Sequence, residues 1–173
     1  MENTAAAVVT TYLEMNNPQE LKPCLRPAPI YMLMRAEEPC GAFNRFLYST
    51  VGADWQWTDR LPWSLEQWQQ NTAQPGLETW VAYINGTPAG YFELFYAMEV
   101  GEVEIQYFGL LPQFTGRGLG GALLTDAIKR AWSLADGVKR VWVHTCTLDG
   151  PTALPNYRAR GMQVYKTEEE AVV

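Results

Sequence analysis

The sequence predicts a single α/β domain with a mixed, mostly antiparallel central sheet and helices on both faces. Three observations carry this expectation. Two strand-like stretches, 77–84 and 87–98, flank Asn85-Gly86, a strong signal for a tight hairpin. A third strand pattern, 103–110, follows a turn at Gly101 and completes an antiparallel meander. Beyond it, helical and strand patterns alternate, which implies a βαβ crossover and a parallel neighbour. At 173 residues the chain is expected to form one domain, 1–173, with residues 1–29 as an N-terminal extension packed on it.

Taken in order, residues 5–15 carry the β-branched run Val8-Val-Thr-Thr11 and favour a strand over a short helix. A connector spaced by Pro18, Pro23, Pro27 and Pro29 follows, and 30–35 reads as a strand. Helices are expected over 41–51 and 64–73. The second has Ser64 as N-cap and Gln67 three residues on, a capping-box pattern. Between them lies an aromatic loop, 54–63, with Trp55, Trp57 and Trp63. After the meander come a helix over 118–135, a strand over 138–147, a short helix over 151–160 and a last strand over 162–167.

Composition narrows the function classes. Hydrophobic residues make up 47% and charged residues 18%, ordinary for a compact soluble protein. The net charge of -6 argues against nucleic acid as a partner, because phosphate backbones require a basic face. Three cysteines, Cys24, Cys40 and Cys146, give an odd count without a CxxC pair, so neither a disulfide framework nor a metal site is expected. The opening Met-Glu-Asn-Thr lacks the basic start and apolar core of a signal peptide, and no run approaches the ~18 apolar residues of a membrane helix. The expectation is a cytoplasmic protein without a membrane partner.

The densest chemical signal is the stretch 113–121, Gln-Phe-Thr-Gly-Arg-Gly-Leu-Gly-Gly. It places four glycines within six positions, between a strand and a helix. Such a turn presents free backbone N–H groups at the positive end of a helix dipole, where phosphate binds. A P-loop would need Gly-Lys-Ser/Thr, and no lysine is present. A dinucleotide fingerprint matches literally at Gly116, Gly118 and Gly121. It should open a parallel half-sheet, however, and here an antiparallel meander precedes it. The stretch 110–120 instead resembles the acetyl-CoA-binding motif of the GNAT N-acetyltransferases, Gln/Arg-x-x-Gly-x-Gly/Ala. The segment 153–162, Ala-Leu-Pro-Asn-Tyr-Arg-Ala-Arg-Gly-Met, is similar to that family's "A…Y…GF" ending.

The resemblance implies the GNAT fold, with acetyl-CoA between splayed fourth and fifth strands. Its pyrophosphate would rest on backbone N–H groups of Thr115, Gly116, Arg117, Gly118, Leu119, Gly120 and Gly121. Thr115 stands at the family's Gln/Arg position, a departure, although Gln113 satisfies the pattern two residues earlier. Arg117 adds a charge for the phosphates. The pantetheine arm would pair with the backbone of Phe108, Gly109 and Leu110, and Gly109 inside a strand is consistent with a bulge or a close approach. Dimers are common in the family, so a homodimer is compatible with the sequence.

Acyl transfer from a thioester to an amine requires proton removal from an ammonium of pKa ~10.4 and proton delivery to a thiolate of pKa ~8.5. The resemblance assigns Tyr157 as the acid beside the cofactor sulfur; the alternative is a core tyrosine. Glu104 matches the catalytic glutamate of the histone-acetyltransferase branch; the alternative is a solvated polar strand face. Strand alternation puts Val103, Ile105 and Tyr107 on one face, with Glu104 and Gln106 on the other. His144, the only histidine, is a base acting through water or a satisfied core residue. Asp149 is a substrate anchor or a helix cap, and Cys146 lacks a base to make it a nucleophile. The tryptophans at 55, 57, 63 and 68 line the acceptor side or cover the sheet. The implied function is direct acetyl transfer from acetyl-CoA to a primary amine, on a small molecule or a peptide N-terminus. The alternative is a non-catalytic acyl-CoA sensor of the same fold.

Overall fold

The computed structural model describes residues 7–170. It contains β1 (Val8–Met15), β2 (Met32–Arg35), α1 (Gly41–Gly52), α2 (Leu65–Thr72), β3 (Leu77–Ile84), β4 (Thr87–Ala97) and β5 (Glu102–Leu110). Then follow α3 (Leu119–Ser133), β6 (Arg140–Cys146), α4 (Ala153–Ala159) and β7 (Gln163–Glu170). These match the expected elements with ends shifted by up to three residues. The exact start expected for the first strand, residues 5 and 6, lies outside the described residues. Two short 3-10 turns, Pro18–Glu20 and Pro112–Phe114, are additional. Each begins at a proline, whose fixed φ suits the first position of a helical turn.

The local signals act as their chemistry requires. Ser64 Oγ accepts from the Gln67 N–H, and the Gln67 side chain accepts from the Ser64 N–H, closing the capping box. Asn85 (φ 50°) and Gly86 (φ 83°) both sit in the left-handed region that a two-residue hairpin turn demands.

All seven strands form one sheet, ordered β2-β3-β4-β5-β6-β1-β7. Every pairing is antiparallel except β5 with β6. The first strand is an interior one: β1 pairs with β6 on one side and β7 on the other. Its Leu13 and Met15 are fully buried.

Alternating side chains feed two cores. On one face Ala82, Phe92, Val103, Ile105 and Val143 pack against Leu123, Leu124, Ala127 and Ile128 of α3. On the other, Val81, Ala89 and Tyr91 meet Leu47 and Val51 of α1. The expected alternation fails in β5. Glu93 pairs with Tyr107 while Leu94 pairs with Ile105, so Gln106 is a bulged residue without a partner. One extra residue flips everything after it. Tyr107 therefore leaves the face of Val103 and Ile105 and packs beside α1, its ring 5.1 Å from that of Tyr48.

Among the described residues, no helix is long and apolar enough to cross a membrane. Leu123 is fully buried in the α3 core. Leu123→Ala is expected to lower the free energy of urea unfolding by ~2–5 kcal/mol through lost burial and a residual cavity. Truncation of the exposed Lys129 is expected to change it by less than ~0.5 kcal/mol.

Candidate active site

The site begins where sheet pairing stops. β5 and β6 run parallel and pair only from Glu102, Val103 and Glu104 to Arg140, Val141 and Trp142. Beyond that the two strands diverge, while β5 continues to pair with β4 and β6 with β1. The edge of β5 facing β6 is thus open over residues 105–110. The Leu111 N–H donates to the Ala89 carbonyl at 2.9 Å, which sets the phase of the β4–β5 ladder. By the alternation of an antiparallel pair, the backbone groups of Phe108 and Leu110 then point away from β4, into the opening, and those of Gly109 point at β4. The opening is a cleft of about 1020 Å³, lined by β5, β6, the start of α3, α4 and the aromatic loop.

At one end lies the glycine turn. Gly116 (φ 75°) and Gly118 (φ 83°) adopt the left-handed conformation, and Gly118 is the N-cap of α3. A Cβ on Gly116 would meet nothing, so that position is open to solvent or ligand. The first-turn N–H groups of a helix have no intrahelical acceptor, and no loop or side-chain acceptor serves the N–H groups of residues 116–121. Thr115 differs from expectation. Its N–H and its hydroxyl both donate to the Pro112 carbonyl, at 3.2 and 2.7 Å, so its donors are spent within the turn. Arg117 is exposed, with its guanidinium 5.0 Å over the Phe114 ring.

The glycine in β5 marks a close approach, one of the two causes expected. A Cβ on Gly109 would lie 2.4 Å from Val51 Cγ1, so the close approach is that of α1. The bulge sits three residues earlier, at Gln106.

Tyr157 lines the cleft from α4 and is only 6% exposed. Its ring packs edge-on against Phe108 at 6.3 Å, and its hydroxyl has no protein partner among the described residues. Burial, with the Asp149 carboxylate, pushes its pKa well up, so it stays protonated. His144 lines the cleft and Glu104 does not; the Glu104 Oε1 lies 3.9 Å from His144 Nε2. Burial raises its carboxyl, opposed by His144, a hydrogen bond from Gln106, and Arg60. His144 is not a core residue: its side chain is 49% exposed and lines the cleft. Tyr12, from the interior strand β1, lies beside it with the rings tilted and their centroids 5.7 Å apart.

A model of the acetyltransferase (GNAT) family matches residues 32–162. The chain belongs to the GNAT acetyltransferase family. Solved structures agree on the fold. A GCN5-related N-acetyltransferase from Kribbella flavida is 18% identical over 93% of this chain and 58% of its own, with a TM-score of 0.64. One from Sphaerobacter thermophilus is 19% identical over 93% of this chain and 50% of its own, with a TM-score of 0.60. This GNAT chain therefore spans little more than half the length of those two proteins. An aminoglycoside acetyltransferase from an uncultured soil metagenomic sample, in complex with sisomicin, is 16% identical over 75% of this chain and 86% of its own, with a TM-score of 0.62. No curated protein matches the sequence. Among the described residues, no group of three or more His, Cys, Asp or Glu is placed to hold a metal.

Two parts of this GNAT site escaped sequence reasoning. The connector 22–27 crosses the start of α3: the Cys24 N–H donates to Thr125 Oγ1 at 3.0 Å, and Lys22 is tied to Arg160 by its N–H and its carbonyl. It brings Arg26 to the glycine end of the cleft, where Arg160 also lies. The visible signal was two basic residues in a proline-stiffened segment of an acidic chain.

The second is the anchor of the aromatic loop. Arg60 and Glu93 form a buried ion pair at 2.8 Å, with side chains 8% and 0% exposed. Asn44 donates to the other Glu93 oxygen at 3.0 Å, and Arg60 donates to Gln106 Oε1 at 3.3 Å. The rings of Trp63 and Tyr107 flank the guanidinium at 4.9 and 4.4 Å. This pair ties the loop to the bulge. Arg60→Ala is expected to cost ~3–5 kcal/mol in chemical unfolding, because Glu93 would be left buried and uncompensated, and replacing both partners by leucine should recover part of the loss.

Proposed function

We propose that this GNAT protein transfers an acetyl group from acetyl-CoA to a primary amine, by direct transfer in a ternary complex. The observation that carries the reading is the junction of an unpaired β5 edge with a turn of unpaired amides, in one cleft. The residues present fit acetyl-CoA. The N–H groups of residues 116–121, with Arg26, Arg117 and Arg160 nearby, suit a pyrophosphate at a helix N-terminus. The outward backbone of Phe108 and Leu110 suits an amide-bearing arm added like a strand. When bound, acetyl-CoA supplies the acetyl thioester as electrophile.

The chain's own groups do the rest. The Phe108 N–H, which faces the opening beside the Tyr157 ring and lies further from the glycine turn than Leu110, donates to the thioester carbonyl oxygen, where negative charge grows as the amine attacks. Glu104 receives the ammonium proton, through His144 or an intervening water, because its carboxylate lies beside His144, which lines the cleft while Glu104 does not. The buried Tyr157 hydroxyl donates a hydrogen bond to the departing sulfur. It passes its proton to the thiolate as it takes the second proton from the attacking nitrogen, so it ends protonated, as its raised proton affinity favours. Of the two protons the ammonium nitrogen gives up, one ends on the thiol and one in solvent. An aminoglycoside acetyltransferase among the fold relatives supports an amine acceptor; a small molecule or a peptide N-terminus is compatible with the cleft.

Free-thiol detection of CoA release tests the reading. Tyr157→Phe is expected to lower kcat by ~10–100-fold, as loss of a positioned proton donor does, with little change in the KM for acetyl-CoA. Unchanged turnover would contradict the role. The pH profile supplies a separate check. Only the ionised carboxylate accepts a proton, so kcat/KM should rise with pH as Glu104 ionises, and burial moves that rise above the ordinary ~4.3 of a glutamate. Glu104→Gln should abolish this limb.

A further inference from the structure

The groups lining the cleft are sorted by charge. Its basic residues, Arg26 and Arg160, lie at the glycine turn, and its acidic ones, Asp59 and Asp149, lie beside the aromatic loop. Asp149 is committed: it accepts from the Thr145 hydroxyl at 2.6 Å, the Cys146 N–H at 3.0 Å and the Trp57 indole at 3.2 Å. Asp59 has no hydrogen-bond or ion-pair partner among the described residues, yet lines the cleft beside Tyr107. Its charge adds to the upward shift that burial gives the Tyr107 phenol. The walls here are rings. Trp57 packs 4.9 Å from Tyr107, and Trp55 lies against the backbone of Gly150.

Trp57 crosses the gap between the splayed strands. It rises from the α1–α2 connection, passes Gly109 of β5 and bonds to Asp149 beyond β6. With Trp55 on Gly150, the aromatic loop is fastened to the far wall at two points. The aromatic loop therefore walls the cleft on this side.

We propose that the acceptor is a small amphipathic monoamine: a primary ammonium joined by a short linker to an aromatic or compact apolar group. This rests on the acetyl-transfer reading and narrows it. The ammonium pairs with Asp59 and lies against the Trp55 and Trp57 rings, whose faces attract cations. The apolar group takes the remaining ring surface. A polyanionic acceptor would face two carboxylates. A polyamine or a peptide would bring polar groups against indole walls that cannot satisfy them.

Steady-state CoA release is measured with phenethylamine, propylamine, spermidine and triglycine as acceptors. Phenethylamine is expected to exceed propylamine in kcat/KM by about tenfold or more, from the ring surface buried. In Asp59→Asn, the KM for phenethylamine should rise about tenfold while kcat stays within about twofold and the KM for acetyl-CoA is unchanged. Trp57→Phe, which keeps a ring but loses the bond to Asp149, should retain the preference for phenethylamine over spermidine. Better turnover of spermidine or triglycine than of phenethylamine, or an indifferent Asp59→Asn, overturns this inference and leaves acetyl transfer standing. Tight acetyl-CoA binding with no thiol release from any amine overturns the transfer reading, and this inference with it.

Discussion

Parallel pairing between β5 and β6 lasts three residues and stops, and the rest of the molecule is arranged around that interruption. A sheet interior without pairing leaves backbone donors and acceptors that need partners. β5 is held on its other side by β4, and β6 by β1, so neither strand can close the gap by sliding. α3 starts at the end of β5 through a left-handed glycine N-cap, which brings its unpaired amides to the head of the same opening. An unsatisfied strand edge and an unsatisfied helix start thus share one cleft. An elongated ligand with phosphates at one end and amides along its arm satisfies both.

The two faces of the sheet serve this opening differently. On the α3 side the core is built mainly of leucine, isoleucine, valine and alanine around Phe92 and Tyr157. On the α1 side the packing is aromatic and contains the Arg60–Glu93 pair. That pair holds the loop bearing Trp55, Trp57 and Asp59, and through Gln106 it reaches the bulge that turns Tyr107 toward α1. The bulge and the buried ion pair are therefore linked: the residue left unpaired by the ladder is the one that accepts from the guanidinium. The interior position of β1 adds a third link, because it sets Tyr12 beside His144 on the strand that forms the far wall.

What the sequence displayed was local. Asn85-Gly86, the Ser64–Gln67 cap and the left-handed glycines at 116 and 118 each declare themselves within a few residues, since turn and cap chemistry depends on immediate neighbours. What it hid was non-local. Nothing in Val8-Val-Thr-Thr-Tyr-Leu places that strand between β6 and β7. The bulge at Gln106 carries no glycine to mark it. Gly109 was visible, but the side chain that requires it, Val51, belongs to a distant helix. Glu104 and Gln106 looked like equal members of a polar face, whereas in the fold Gln106 lines the cleft and Glu104 lies beside His144. One hidden feature had a usable sign: Glu93 stands in the apolar run Tyr-Phe-Glu-Leu-Phe, and a glutamate buried there needs a cation.

The central claim is that acetyl-CoA completes the interrupted sheet and the start of α3 together. Amide hydrogen exchange with and without acetyl-CoA addresses it at single residues. The account predicts slowed exchange at Phe108, Leu110 and residues 116–121, with no change at the Asn85-Gly86 turn. Binding that leaves those amides exchanging as before, or that protects the glycine turn without the β5 edge, would contradict it.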